Sequence, residues 1–142
     1  MNLSLCVREA AWPVDSQGIL ALRRRVFIEE QQVPEELELD GLDSNCVLVV
    51  AEDRDGLIRG SGRMLPNGHI GRMAIDRELR GQGLGSRILI ALLAAARSRG
   101  FAEVKLDAQE HALGFYERHG FRAEGEAFQE AGIRHRHMKR RV

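Results

Sequence analysis

The chemistry of the sequence is densest at Arg80-Gly81-Gln82-Gly83-Leu84-Gly85-Ser86-Arg87. Glycine loses more conformational freedom on folding than any other residue, so three at alternate positions call for a backbone reason. The apolar run Ile88–Ala96 follows at once. The turn therefore opens a helix, whose first N–H groups lack intrahelical partners and lie at the positive end of the dipole. Backbone amides, two arginines and a hydroxyl converging there make a seat for a phosphate or pyrophosphate. A plain flexible strand-to-helix loop is the alternative. A P-loop would close with Gly-Lys-Ser/Thr, and no lysine is present. A dinucleotide-binding fingerprint needs Gly-x-Gly-x-x-Gly, whereas Ser86 holds the sixth position. Asp107, about 20 residues on, stands where that fold keeps a ribose-binding acid. Against it, the five residues Asp76–Arg80 separate strand from turn, and the hairpins upstream suit a meander better than an N-terminal βαβ unit.

The elements that must position this turn follow from periodicity. Leu3–Glu9 alternates as a strand. Asp15 or Ser16 can cap a helix carrying Ile19, Leu22, Val26 and Phe27 on one face. "VPEELELDGLD" is acidic and turn-like, and the β-branched run 46–52 is a buried strand. "DRDG" and "PNG" punctuate two hairpins, with strands over 57–65 and 69–76. The helix 84–99 ends in Arg97, Arg99 and Gly100, the expected chemistry for a C-terminus. "FAEVKLDA" is a strand, "QEHALGFYERHG" a short helix, and "FRAEGEAF" and "IRHRHMKRR" are closing strands. A meander followed by β-α-β makes a mixed sheet with helices on its faces.

Composition sets the outer bounds. The chain has 142 residues, 44% apolar and 30% charged, with a formal net charge of +0. That suits one domain, 1–142, and gives no global pull toward nucleic acid. The longest apolar run, nine residues, is far below a membrane span. The N-terminus lacks the layout of a signal peptide. Cys6 and Cys46 have no CxxC spacing and read as buried reduced thiols, which points to the cytoplasm; no metal site is expected.

Arg80-Gly81-Gln82-Gly83-Leu84-Gly85 also satisfies the pattern Arg/Gln-x-x-Gly-x-Gly/Ala. "MAIDRELRGQGLGSRILIALL" resembles the acetyl-CoA-binding motif of the GNAT N-acetyltransferases, and "LDAQEHALGFYERHGF" resembles the second half of that family's pattern, in order and at the right separation. "RRRVFIEEQQVPEELELDGLD" and "EAGIRHRHM" are most similar to the small ElaA-type branch. The resemblance covers nearly the whole chain. It implies a mixed, mostly antiparallel sheet of about six to seven strands flanked by about four helices. A V-shaped splay would separate two central parallel strands. It implies an acetyl-CoA-dependent transfer to a primary amine of a small molecule or peptide, by direct attack in a ternary complex. The pyrophosphate would rest on Gly81, Gln82, Gly83, Leu84, Gly85 and Ser86, with Arg80 alongside. The pantetheine arm would follow Met73, Ala74 and Ile75, with the Met73 N–H facing the acetyl carbonyl as an oxyanion donor. Gln109 stands where the family usually has an asparagine on the pantetheine; Ala112 and Phe115 would line the arm. Tyr116, the only tyrosine, would be the general acid for the departing thiolate, with half-buried packing as its other reading.

The base is open. His69 lies four residues before Met73 on one strand, and an even offset keeps side chains on one face; it also sits at a hairpin end, where exposed histidines are common. Glu130, His135, His111, Glu30 and a water molecule are alternatives. Residues 29–43 hold Glu29, Glu30, Glu35, Glu36, Glu38, Asp40 and Asp43 without a basic residue. They read as a solvated loop, or as a negative mouth for a cationic amine. Arg23-Arg24-Arg25 reads as a solvated helix face. A protein of the same fold that binds a CoA ester without turnover is the competing function, and a homodimer stays open.

Overall fold

A computed structural model describes residues 4–142. Strands β1 (Cys6–Ala10), β2 (Val47–Glu52), β3 (Ile58–Met64) and β4 (Ile70–Ile75) form an antiparallel sheet in the order β1-β2-β3-β4. Strands β5 (Glu103–Gln109), β6 (Arg122–Glu130) and β7 (Ile133–Arg141) form a second antiparallel sheet in the order β5-β7-β6. The two meet where β4 and β5 run parallel through one bridge, His69–Lys105. Beyond it β4 and β5 part, and this is the expected splay. Of the strand expected over Leu3–Glu9, Leu3 lies outside the described residues.

The helices are α1 (Trp12–Arg23), α2 (Glu35–Glu38), α3 (Leu84–Ser98) and α4 (Leu113–Arg118). Helix α1 runs on through seven π-helical residues, Arg24–Glu30. It is capped at Ala11 rather than at Asp15 or Ser16: Asp15 lies one turn in, and its carboxylate accepts the Ala11 N–H at 3.0 Å. Pro13 at the second helical position fixes the entry, where its missing N–H costs nothing.

Strand β2 is apolar on both faces because both are covered. Val49 and Ala51 join Leu84, Ile88, Leu89, Leu92 and Leu93 of α3 in one core cluster, while Leu48 and Val50 join Ile19 and Leu22 of α1 and Val26 of its π-helical continuation in another. Two glycines in β3 make room on the α3 side. A Cβ on Gly60 would lie 2.8 Å from Ile88 Cδ1, and one on Gly62 would lie 2.6 Å from Met73 Sδ.

Strand β4 carries an irregularity that the alternation of its sequence does not reveal. Its register against β3 slips between Ser61 and Arg63, and Arg72 sits at φ 50°, a conformation non-glycine residues adopt only when held there. What holds it is the Arg72 guanidinium, which donates to the carbonyls of Leu37 and Glu38 at 3.1 and 3.2 Å and to Asp40 at 3.2 Å. The extra residue reverses the side-chain order. Ile70, Met73 and Ile75 all face α3, so His69 and Met73, at an even offset, point to opposite faces of the sheet.

The charged segments are more internal than expected. Arg23 is fully buried and donates to Asp43 at 2.8 Å, and Arg25 forms a forked pair with Asp76, both distances 3.0 Å. In the acidic stretch, Glu38 and Asp43 are buried, and Glu30, Glu35, Glu38, Asp40 and Asp43 all pair with arginines. Five of the seven acids are thus compensated by arginines, Glu38 and Asp43 inside the fold and Glu30 and Glu35 at its surface. The cysteines are free, but Cys6 is exposed and Cys46 half-buried, so neither is the buried thiol expected. Among the described residues no helix is long and apolar enough to cross a membrane.

Candidate functional site

The glycine turn lies between β4 and α3. Gly81 and Gly83 take φ 75° and 83°, in the region that glycine enters without steric cost. Gly83 is the N-cap of α3, and no side chain caps it. A Cβ on either residue would meet nothing within 4 Å, so the turn is open on its outer side. Leu84 is buried and anchors the turn to the core, while the amides of Leu84, Gly85 and Ser86 open the helix. Fifteen residues of helix stand behind this N-terminus, enough for a full dipole and a ready anion seat.

Arg80 is already engaged. Its guanidinium grips Glu30 at 2.5 and 2.8 Å, and its Nε donates to the Ile75 carbonyl at 3.0 Å. This pairing holds the Glu30 carboxyl below its usual range. Ser86 Oγ shares a 2.9 Å hydrogen bond with His119 Nε2. Burial and the nearby Arg140 and Arg118 hold the His119 imidazole below its usual range. No motif pointed to His119; the signal available was only its place one residue before the closing glycine of the short helix.

Helix α4 stands against the turn. A Cβ on Gly85 would lie 3.7 Å from Phe115 Cζ, and Phe115 meets the Tyr116 ring edge-on, centroids 5.0 Å apart. Tyr116 packs edge-on against Phe121 as well, at 5.8 Å, and burial alone raises its phenol above the ordinary range. Ala112 caps α4, and Gln109 ends β5 beside His135.

The β4 edge that faces the splay is set by hydrogen-bond parity. Asp76 N–H donates to the Arg59 carbonyl at 2.9 Å. Backbone direction alternates along a strand, so Met73 and Ile75 turn their amide and carbonyl groups away from β3 and into the gap, while Ala74 pairs with Ser61. The turn, the Met73 and Ile75 edge and α4 thus border the same opening.

His69 is at the closed end of the splay, on the face away from α3. Burial lowers its pKa, and its Nε2 is 3.8 Å from Asp107 Oδ2. Asp107 is not free for a ribose: it faces away from α3 and is hydrogen-bonded to His137. Of the other base candidates, His135 is buried with its Nδ1 donating to the Ile133 carbonyl at 2.7 Å, and Glu130 at the end of β6 and His111 in the short helical turn after β5 are exposed.

Residues 11–142 match the acetyltransferase (GNAT) domain. The chain belongs to the GNAT acetyltransferase family. This GNAT chain is 36% identical over 121 residues to the uncharacterized N-acetyltransferase YjcF of Bacillus subtilis (strain 168), covering 82% of this chain and 86% of that protein. Its fold superposes on Escherichia coli ElaA with a TM-score of 0.86 and 25% identity, over 96% and 99% of the two chains. An acyl-CoA N-acyltransferase from Pseudomonas aeruginosa is similar at TM-score 0.81 and 32% identity, over 98% and 99%. The dinucleotide-fold alternative falls with this assignment. The strand before the turn is the fourth of an antiparallel meander, and Asp107 is turned from α3.

Proposed function

We propose that this GNAT chain transfers the acetyl group of acetyl-CoA to a primary amine of a small molecule or peptide, by direct attack in a ternary complex. One juxtaposition carries the reading: an uncapped helix N-terminus on a glycine turn, a β4 edge turned away from β3 at Met73 and Ile75, and Tyr116 on the helix that packs beside the turn. The pyrophosphate takes the amides of Gly81–Ser86, and Arg80 joins it on exchanging Glu30. The pantetheine arm lies along Met73, Ala74 and Ile75 toward Gln109, Ala112 and Phe115. The Met73 N–H stabilises the oxyanion as the amine attacks the thioester carbon. Tyr116, kept protonated by burial, supplies the proton to the departing thiolate. Free Cys6 and Cys46 fit a reducing compartment, the cytoplasm.

Gly83→Val and the milder Gly83→Ala test the seat. Valine at φ 83° is strained and its branches screen the amides, so acetyl-CoA affinity by calorimetry should fall more than tenfold, about 1.4 kcal/mol. Wild-type affinity in both folded variants would remove the turn from the site.

A further inference from the structure

Above the His69–Lys105 bridge, on the face away from α3, the next side chains are Asp107 of β5 and His137 of β7, directly paired across the ladder. His137 Nδ1 is hydrogen-bonded to Asp107 Oδ1. A carboxylate only accepts, so Nδ1 carries the hydrogen of this bond and Nε2 is the ring nitrogen left to take up a proton. The ring stacks on Phe128 with centroids 4.4 Å apart and planes at 22°, while 61% of the side chain stays exposed. The Asp107 bond and the Phe128 stack together fix the orientation of the ring. The cleft in front measures about 620 Å³ and includes His69, Lys105, Asp107, Glu124, His137 and Lys139. His69 stands 3.8 Å from Asp107, too far for a hydrogen bond, and leaves the carboxylate to His137. Among the described residues no three His, Cys, Asp or Glu side chains are placed to hold a metal ion, so a metal site does not account for the arrangement.

We propose that His137, oriented by Asp107, is the proton acceptor for the acceptor amine, directly or through one water. The inference rests on the acetyl-transfer reading above. His137 Nε2 takes one proton from the ammonium, and the amine lone pair forms the C–N bond at the thioester carbon. The C–S bond then breaks, and the sulfur takes the Tyr116 proton. The second proton on the new amide nitrogen restores Tyr116, and His137 returns its own to solvent. His137 thereby replaces His69 as the base, and Asp107 is its positioning residue.

The groups facing His137 are His69 on β4, Lys105 and Asp107 on β5, Glu124 on β6, and His135 and Lys139 on β7. The test follows CoA release by the full chain with acetyl-CoA and three probes, benzylamine, spermidine and an alanine-initiated peptide, from about pH 6 to about pH 10. For His137→Gln, kcat/KM near neutrality should fall about 10²-fold, the low end for general base catalysis. That loss should shrink as pH rises and the amine deprotonates in bulk, with acetyl-CoA affinity unchanged. In Asp107→Asn, ¹⁵N shifts should show the His137 hydrogen moving from Nδ1 to Nε2, with a smaller rate loss. Wild-type rates in His137→Gln, an equal loss at every pH, or an Nε2–H tautomer in the wild type would each overturn the assignment. A wild type that binds acetyl-CoA but acetylates none of the probes would instead overturn the proposed function, and this inference with it.

Discussion

Tyr116 is held by packing rather than by hydrogen bonds: Phe115 and Phe121 meet its ring edge-on. Phenylalanine keeps those contacts and loses the proton. Tyr116→Phe should therefore fold with an unchanged Tm and bind acetyl-CoA normally, while kcat falls about 10²-fold. Full activity in this variant would leave the thiolate departing unaided. Arg80 is a more qualified contact. A charged hydrogen bond to phosphate is worth about 1.5–3 kcal/mol, but Arg80 must first leave Glu30, an exposed pair worth about 0.2–1 kcal/mol. Arg80→Ala should thus cost about 1–2 kcal/mol of acetyl-CoA binding, and Glu30→Gln should tighten binding up to about fivefold; calorimetry on both variants checks the pair. The glycine turn and the short helix that carry these residues were legible because turn chemistry and motif are local. The Asp107–His137 pair was not, because 30 residues separate its members and only the β5–β7 register brings them together. "IRHRHMKRR" read only as a closing strand, without saying which residues of other strands its histidines would meet.

At the scale of elements, the strands and helices were legible almost throughout. Their signals are period-two runs, Asp-Gly and Asn-Gly turns and the apolar face of α3. The β4 bulge was not. Nothing in "HIGRMAID" marks Arg72 for a left-handed backbone, since its cause is the distant loop that its guanidinium grips. The burial of Arg23 was equally hidden, because the acids that accept it lie in a segment that reads as solvated. That loop should titrate. Arg63 and Arg72 push the Asp40 carboxyl from 3.8 down to about 2, so its stabilisation is complete above its unfolded pKa and is lost as pH falls through the folded one. The full shift corresponds to about 2.4 kcal/mol. With 26% of the side chain exposed, solvent screening reduces this to about 1–2 kcal/mol. Urea unfolding of Asp40→Asn against wild type should show that loss at pH 7 and almost none near about pH 2. Equal differences at both would contradict the pairing. Glu38, raised by burial, works with the opposite sign, and the comparison with Asp40→Asn separates the two.

Across the whole molecule, two cores pack on opposite faces of the first sheet, and the second sheet departs from it at a single parallel bridge. The opening between them has the glycine turn, the Met73 edge and Tyr116 on the side of α3, and Asp107 and His137 on the opposite face. The net charge is +0, and five of the seven acids in the acidic stretch pair with arginines. The central claim is that acetyl-CoA is consumed by an amine and not merely bound. Mass spectrometry of the full chain incubated with acetyl-CoA and a panel of primary amines tests it most directly. At least one N-acetylated amine should form in step with free CoA; acetyl-CoA binding without any acetylated amine would refute acetyl transfer.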